Sequence, residues 1–171
     1  KFEDIKLSKK LCNAIKDLGF QEQTPIQRAT YSKILSGKDL VGIAQTGTGK
    51  TIAYCLPLLQ ELSYSNQKNP RILILVPTRE LVTQLVETLK TLTEYITCRI
   101  VGVYGGTNIN TQKKLLQDGA DIIIATPGRL YDLALCRALQ LKTVKKIVID
   151  EVDIMLDLGF RFQLTNIFEL L

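Results

Sequence analysis

Two short stretches of this sequence carry residue types spaced for chemistry. The first is Ala44-Gln45-Thr46-Gly47-Thr48-Gly49-Lys50-Thr51, a glycine-rich loop ending in a lysine and a hydroxyl residue. The spacing matches the Walker A layout, with alanine at its first position. Gly47 and Gly49 let the backbone turn tightly, so that successive amides point at phosphate oxygens with a helix N-terminus behind them. Lys50 then reaches the outer phosphates, and Thr51 offers its hydroxyl to Mg²⁺, a hard ion that prefers oxygen and keeps most of its waters. The second stretch is Asp150-Glu151-Val152-Asp153. Asp150 suits a water of the Mg²⁺ shell and Glu151 an attacking water, the division of labour that hydrolysis of a nucleoside triphosphate requires. Taken singly, each stretch has a plainer reading: a turn that binds nothing, and a helix cap or solvated turn. Together they support one another, because a phosphate loop needs a second acid at a neighbouring strand end.

Such groups must be held by regular elements. Five apolar, β-branched runs stand out, at residues 40–44, 71–76, 99–104, 121–125 and 146–149. They are continuous rather than alternating, which predicts strands buried on both faces. Helical spacing lies between them: Leu81, Val82, Leu85, Val86 and Leu89 form one stripe, residues 52–62 form another run, and residues 115–119 end a shorter helix on Gly119. Strand alternating with helix predicts an α/β fold of three layers, a mostly parallel sheet with helices on both faces. Ligands of such sheets bind at the carboxyl ends of the strands, where both chemical stretches fall. Ahead of the first predicted strand, Ser8 caps a helix carrying Leu11, Ile15 and Leu18. Thr24 caps a second helix that starts at Pro25 and closes at Gly37.

Composition narrows the chemistry. With 171 residues, 46% hydrophobic and 23% charged, the chain has the make-up of one globular domain. It has no histidine, which excludes imidazole-ligated metals and nucleophiles that rely on a histidine base. Cys12, Cys55, Cys98 and Cys136 form no CxxC pair and are read as reduced core thiols. No apolar run is long enough to span a bilayer, and Lys1-Phe2-Glu3-Asp4 lacks the layout of an export signal. The sequence therefore reads as soluble, intracellular and without a membrane partner, in cytoplasm or nucleus. The net charge of +5 permits an anionic partner without requiring one.

With Phe20 and Gln27 added, these motifs resemble one family, the DEAD-box ATP-dependent RNA helicases of superfamily 2, and specifically their N-terminal RecA-like domain. The match runs through Phe2, Gly19-Phe20, Thr24-Pro25-Ile26-Gln27, the phosphate loop, Pro77-Thr78-Arg79-Glu80-Leu81, Gly105-Gly106, Thr126-Pro127-Gly128-Arg129 and Asp150-Glu151-Val152-Asp153. The resemblance implies a P-loop RecA-like fold in which residues 1–37 are helices carrying an adenine-recognition motif and residues 38–171 are the ATP-binding body of the same domain. It implies ATP and Mg²⁺ as cofactors, with Gln27 reading adenine, Phe20 stacking on the ring, residues 44–51 holding phosphates, and Lys50, Asp150 and Glu151 catalytic. Thr51 and Asp150 would hold Mg²⁺, partly through water.

It also implies that Pro77, Thr78, Arg79, Gly105, Gly106, Thr126, Pro127, Gly128 and Arg129 grip an RNA sugar-phosphate backbone without reading sequence, while Asp153 couples to a second domain. Each of these three segments follows a predicted strand, so they should share an edge with the phosphate loop. The implied activity is ATP-driven local unwinding of RNA or remodelling of ribonucleoproteins. An RNA clamp or scaffold with incidental turnover is the alternative, and a DNA-translocating relative is less favoured. Val152 stands where the family has alanine, Gln23 where proline is frequent and Val82 where alanine is frequent. The chain stops at Leu170-Leu171, before the family's Ser-Ala-Thr motif and second RecA-like domain, so it reads as a fragment. That second domain carries arginine fingers, worth about 10³ to 10⁵ in rate in related phosphoryl transfers, so the fragment alone should be nearly inactive. Partners expected are RNA, that second domain and protein cofactors.

Overall fold

A computed structural model describes residues 1–171, which divide into two compact units. The first comprises Lys1–Tyr64 with Leu89–Thr97, and the second Ser65–Thr88 with Cys98–Leu171.

The first unit is helical. After a short 3-10 turn at Phe2–Asp4 come α1 (Lys9–Asp17), α2 (Pro25–Leu35) and α3 (Lys50–Glu61). Both predicted caps form. Ser8 Oγ accepts from the Leu11 amide, and Thr24 and Gln27 close a capping box ahead of Pro25. Pro57 interrupts α3 and leaves the Ala53 carbonyl without its in-helix donor. The Thr30 hydroxyl of α2 reaches that carbonyl at 3.5 Å, which fastens the two helices at the defect. Leu11, Ile15, Cys55, Leu56 and Leu59 are buried in this unit. The strand expected at residues 40–44 does not form: the segment has no ladder, and Val41 and Ile43 are 87% and 92% exposed. A β-branched run favours extended backbone, but a strand exists only through a partner's hydrogen bonds, and this unit contains no other strand.

The second unit holds a four-stranded, all-parallel sheet of β1 (Ile72–Leu75), β2 (Ile100–Val103), β3 (Ile122–Ala125) and β4 (Lys146–Ile149), in the order β2-β3-β1-β4. Its helices are α4 (Arg79–Leu92, as far as Thr88), α5 (Ile109–Leu116), α6 (Pro127–Leu135), α7 (Val152–Asp157) and α8 (Arg161–Leu170). One sheet face presents Leu73, Leu75, Val103, Ile123 and Ala125 to Leu116 of α5, Leu130 and Leu133 of α6, and Leu164 and Ile167 of α8. The other face meets α4. A Cβ on Gly102 of β2 would lie only 2.9 Å from a Val82 methyl and 2.8 Å from a Val86 methyl, so α4 sits at a distance that only glycine allows. The crossover from β1 to β2 runs leftward over this second face, while those from β2 to β3 and from β3 to β4 run rightward over the first. Opposite directions on opposite faces share one handedness, which is the three-layer α/β arrangement expected.

A clasp closes the amino-terminal edge of this sheet. Asp121, ahead of β3 and 4% exposed, receives Arg71 Nη2 and Arg99 Nη2 on Oδ1, each at 3.0 Å. Its Oδ2 receives the Arg99 amide at 2.9 Å and Nε at 3.1 Å. Burial works to raise the Asp121 pKa, but hydrogen bonds from Arg99 and then Arg71 outweigh it and hold the carboxyl below its ordinary value. Burial, helped by the nearby Asp121 charge, pushes the Cys98 thiol up to about 12. The cysteines are not uniformly interior: Cys55 is buried, but Cys136 is exposed at the end of α6.

Candidate functional site

The phosphate loop belongs to the first unit. Gly47 and Gly49 take φ of 81° and 83°, left-handed values that other residues adopt only with strain. Thr48 Oγ1 donates to the Gln45 carbonyl at 2.6 Å and closes the turn. Gly49 is the residue before α3, so no side chain caps that helix, and its first-turn amides face the loop end rather than a capping oxygen. Lys50 and Thr51, both half-buried, are the first two residues of α3. A loop of left-handed glycines running into an uncapped helix N-terminus is a cradle for anionic oxygen.

Gln27 is buried, with both ends of its amide engaged inside the protein. Its Oε1 accepts from the Thr24 amide at 2.9 Å, and its Nε2 donates to the Gly49 carbonyl at 3.2 Å, tying α2 to the phosphate loop. Phe20 is 43% exposed, with its ring centroid 6.4 Å from that of Phe2. The two rings, with Leu7, Cys12 and Ile15, line a cavity of about 500 Å³ that Gln27 does not reach. The structure thus groups Phe20 with Phe2, and Gln27 with the loop. Gln23, buried, donates to the Lys1 carbonyl at 2.6 Å and serves this unit's packing.

The second unit brings the remaining segments to one edge. The last paired row of the sheet runs Val103, Ala125, Leu75, Ile149. One residue further on, the hydrogen bonds Thr126 N to Val103 O (3.2 Å), Val76 N to Ala125 O (3.0 Å) and Asp150 N to Leu75 O (2.9 Å) extend the ladder by a rung. Pro77-Thr78-Arg79, Gly105-Gly106, Pro127-Gly128-Arg129 and Glu151 leave from this carboxyl edge. The three expected segments and the acids therefore leave from one edge, whereas the phosphate loop expected with them belongs to the first unit and follows no strand. Glu151 has φ +54°, one of two non-glycine residues in left-handed backbone, and Asp150 before it continues the strand. The two carboxylates consequently start from unlike backbone directions at a strained strand end. Asp153 and Val152 are exposed in the first turn of α7, so the extra carbons of Val152 need no pocket.

Between the loops runs a polar network that the motifs did not announce. Gln112 of α5, 5% exposed, donates from Nε2 to the Tyr104 carbonyl at 2.9 Å and to Thr107 Oγ1 at 2.8 Å. Its Oε1 accepts from Arg129 Nη1 at 3.0 Å, while Arg129 Nη2 donates to the Thr107 carbonyl at 2.9 Å. Arg129 thus spends both terminal nitrogens within the protein, and its buried Nε has no hydrogen-bond partner. The exposed Arg79 lies with its guanidinium carbon 4.9 Å from the Tyr104 ring centre. A glutamine in the middle of a short amphipathic helix gives no sequence sign of such a role. The only hint was its burial-compatible position, i+3 from Ile109 and i−4 from Leu116.

Thr51 in the first unit and Asp150 in the second are each a hard oxygen donor, and the chain has no cluster of three or more histidine, cysteine or acidic side chains able to cage a metal. An oxygen donor of this kind, taken singly, suits Mg²⁺ held largely by water and phosphate oxygens. No helix is long and apolar enough to cross a membrane.

Comparison with known proteins gives a consistent result. A family model described as DEAD/DEAH box helicase matches residues 24–171. The chain is 43% identical over 161 residues to the DEAD-box ATP-dependent RNA helicase CshA of Bacillus licheniformis, covering 93% of this chain and 32% of that protein. It is 40% identical over 168 residues to the probable ATP-dependent RNA helicase DDX46 of Homo sapiens, covering 94% of this chain and 16% of that protein. The chain therefore spans less than a third of the length of these relatives.

Proposed function

Because the chain belongs to the DEAD/DEAH box helicase family, we propose that it supplies the ATP-binding part of an ATP-dependent RNA helicase, gripping single-stranded RNA by its backbone while ATP binding and hydrolysis drive local unwinding or ribonucleoprotein remodelling. The observation that carries this reading is the registered carboxyl edge, which presents Asp150 on the same rung as the starts of three loops rich in amides and arginine. Loop amides and Arg79 position a phosphate backbone without reading bases, which suits an enzyme that must act on many sequences.

In the nucleotide reaction, the amides at residues 47–51 and the Lys50 ammonium hold the phosphates, and Thr51 and Asp150 hold Mg²⁺ through oxygen and water. Bound Mg²⁺ supplies charge neutralisation at the phosphate oxygens. Glu151 accepts a proton from the attacking water. Gln27 selects adenine by exchanging its Gly49 partner for the base edge, since an amide both donates and accepts. Phe20, half-exposed beside Phe2, offers the stacking face. Asp153 faces solvent where a second RecA-like domain of the same protein would engage it, and protein cofactors act on the same arrangement.

The test is Glu151→Gln in the full-length protein. Removing a general base costs about 10²- to 10⁴-fold in rate, so turnover should fall by that factor while ATP and RNA still bind. RNA-stimulated ATP hydrolysis at the wild-type rate would remove Glu151 from the role.

A further inference from the structure

We propose that Gln112 is a positioning residue for RNA, locking Arg129 and the Tyr104–Thr107 turn into one rigid element. This assignment rests on the helicase reading above and goes beyond it, because Gln112 lies in none of the segments that carry the family resemblance.

The geometry makes the case. The turn of residues 104–107 contains Gly105 and Gly106, both exposed, and Gly106 takes φ +77°. Such a turn has little intrinsic reason to hold one shape, because glycine loses more conformational freedom on ordering than any other residue. Gln112 fixes both of its ends, the Tyr104 carbonyl before the glycines and the Thr107 hydroxyl after them. The same amide accepts from Arg129, which in turn donates to the Thr107 carbonyl, so a ring of three hydrogen bonds, with the fourth to Tyr104 branching from it, joins α5, the glycine turn and the first turn of α6. Only a side chain with two donors on one atom and an acceptor on the next can close this ring at that length. Tyr104 passes the constraint on to Arg79 through the cation–π contact. One buried amide therefore sets the relative placement of all three loops proposed to hold phosphates. Without it the turn and Arg129 each keep their chemistry but lose their registration, and binding must then meet the ordering cost.

The experiment measures binding of a fluorescently labelled ten-nucleotide oligouridylate to the full-length protein, together with RNA-stimulated ATP hydrolysis, for Gln112→Met, Arg129→Gln and the double variant. Methionine keeps the length and volume of the side chain and removes all three of its hydrogen bonds. Gln112→Met should weaken RNA binding about tenfold and raise the RNA concentration for half-maximal ATPase by a similar factor, with kcat at saturating RNA retained, a split that general structural damage would not produce. The double variant should lose less RNA affinity than the sum of the two single losses, because the two residues act partly as one element. Gln112→Glu provides a second probe: it keeps an acceptor for Arg129 but cannot donate to the Tyr104 carbonyl, so RNA affinity should fall in this variant too. Wild-type RNA affinity in both Gln112 variants overturns the proposal, as do fully additive losses in the double variant or a kcat that falls in step with RNA affinity. Absence of RNA binding by the wild-type protein overturns the helicase reading itself, and this assignment with it.

Discussion

The amino-edge clasp allows a stability prediction to be worked through. Asp121→Asn preserves shape and removes the charge. In the wild-type carboxylate each oxygen accepts two hydrogen bonds, Oδ1 from Arg71 and Arg99 and Oδ2 from the amide and Nε of Arg99. An asparagine NH₂ must replace one of those oxygens, so whichever way it turns, two donors face a donor. The aspartate is almost fully buried, and the arginine side chains are 13% and 32% exposed, so solvent compensates little. Removing one partner from a buried, hydrogen-bonded charge set costs about 3 to 5 kcal/mol. At about 2 to 4 °C per kcal/mol for a chain of this size, the melting temperature should drop by about 6 to 20 °C. Calorimetry and urea unfolding at pH 7 measure this directly. The pH dependence fixes the sign: the folded carboxyl has a lowered pKa, so its contribution is complete above the ordinary carboxylate range and is lost as pH falls through the folded value. The gap between wild type and variant should therefore be widest near neutrality and narrow below about pH 4. A variant within 1 kcal/mol of wild type at pH 7, or a gap that grows on acidification, would refute the assignment of this charge as a net stabiliser.

Two further substitutions probe tight places. Gly102→Ala places a methyl within 2.9 Å of Val82 and Val86 and should cost about 1 to 3 kcal/mol by overpacking; an unmoved urea midpoint would show that α4 can retreat from the sheet. Gly49→Ala must hold a side chain at φ +83° and drive its Cβ into the Gln27 amide, so titration calorimetry should record MgATP affinity reduced tenfold or more. Unchanged affinity would mean that the loop binds nucleotide in another conformation.

Much of this arrangement was legible in the sequence because its signals are local. Ser8, Thr24 and Pro25 announce helix starts through groups that bond within a turn, and they form as read. The runs ahead of residues 77, 105, 126 and 150 are apolar on both sides, and they pair as parallel strands whose carboxyl ends carry the expected segments. What failed was long-range. Residues 40–44 have the composition of a buried strand, yet strand formation depends on a partner that composition does not name. Gln112 and the Asp121 clasp escaped notice for the same reason: a buried amide at mid-helix, or a charge beside a strand, looks like a solvated residue until the fold brings its partners from 5 to 50 positions away.

The two edges of the sheet also divide their polar groups by purpose. At the amino edge, Arg71 and Arg99 share the single carboxylate of Asp121, with opposite charges at hydrogen-bond distance and a carboxyl held ionised. At the carboxyl edge the pairing is incomplete by construction. Arg129 is held by neutral oxygens from Gln112 and Thr107, and Arg79 by an aromatic face, so neither cation is cancelled by a carboxylate. Neutral acceptors fix an arginine in place without neutralising its field, and that field attracts a polyanion. If this difference is what makes the edge bind RNA, replacing the neutral amide with a carboxylate tests it through the salt dependence of binding, which reads charge separately from the hydrogen bonds that Nε2 donates. Gln112→Glu at low salt should flatten the salt dependence of oligouridylate binding by about one unit of logarithmic slope, because one phosphate-facing charge is cancelled. A slope equal to that of wild type would show that Arg129 contributes placement alone.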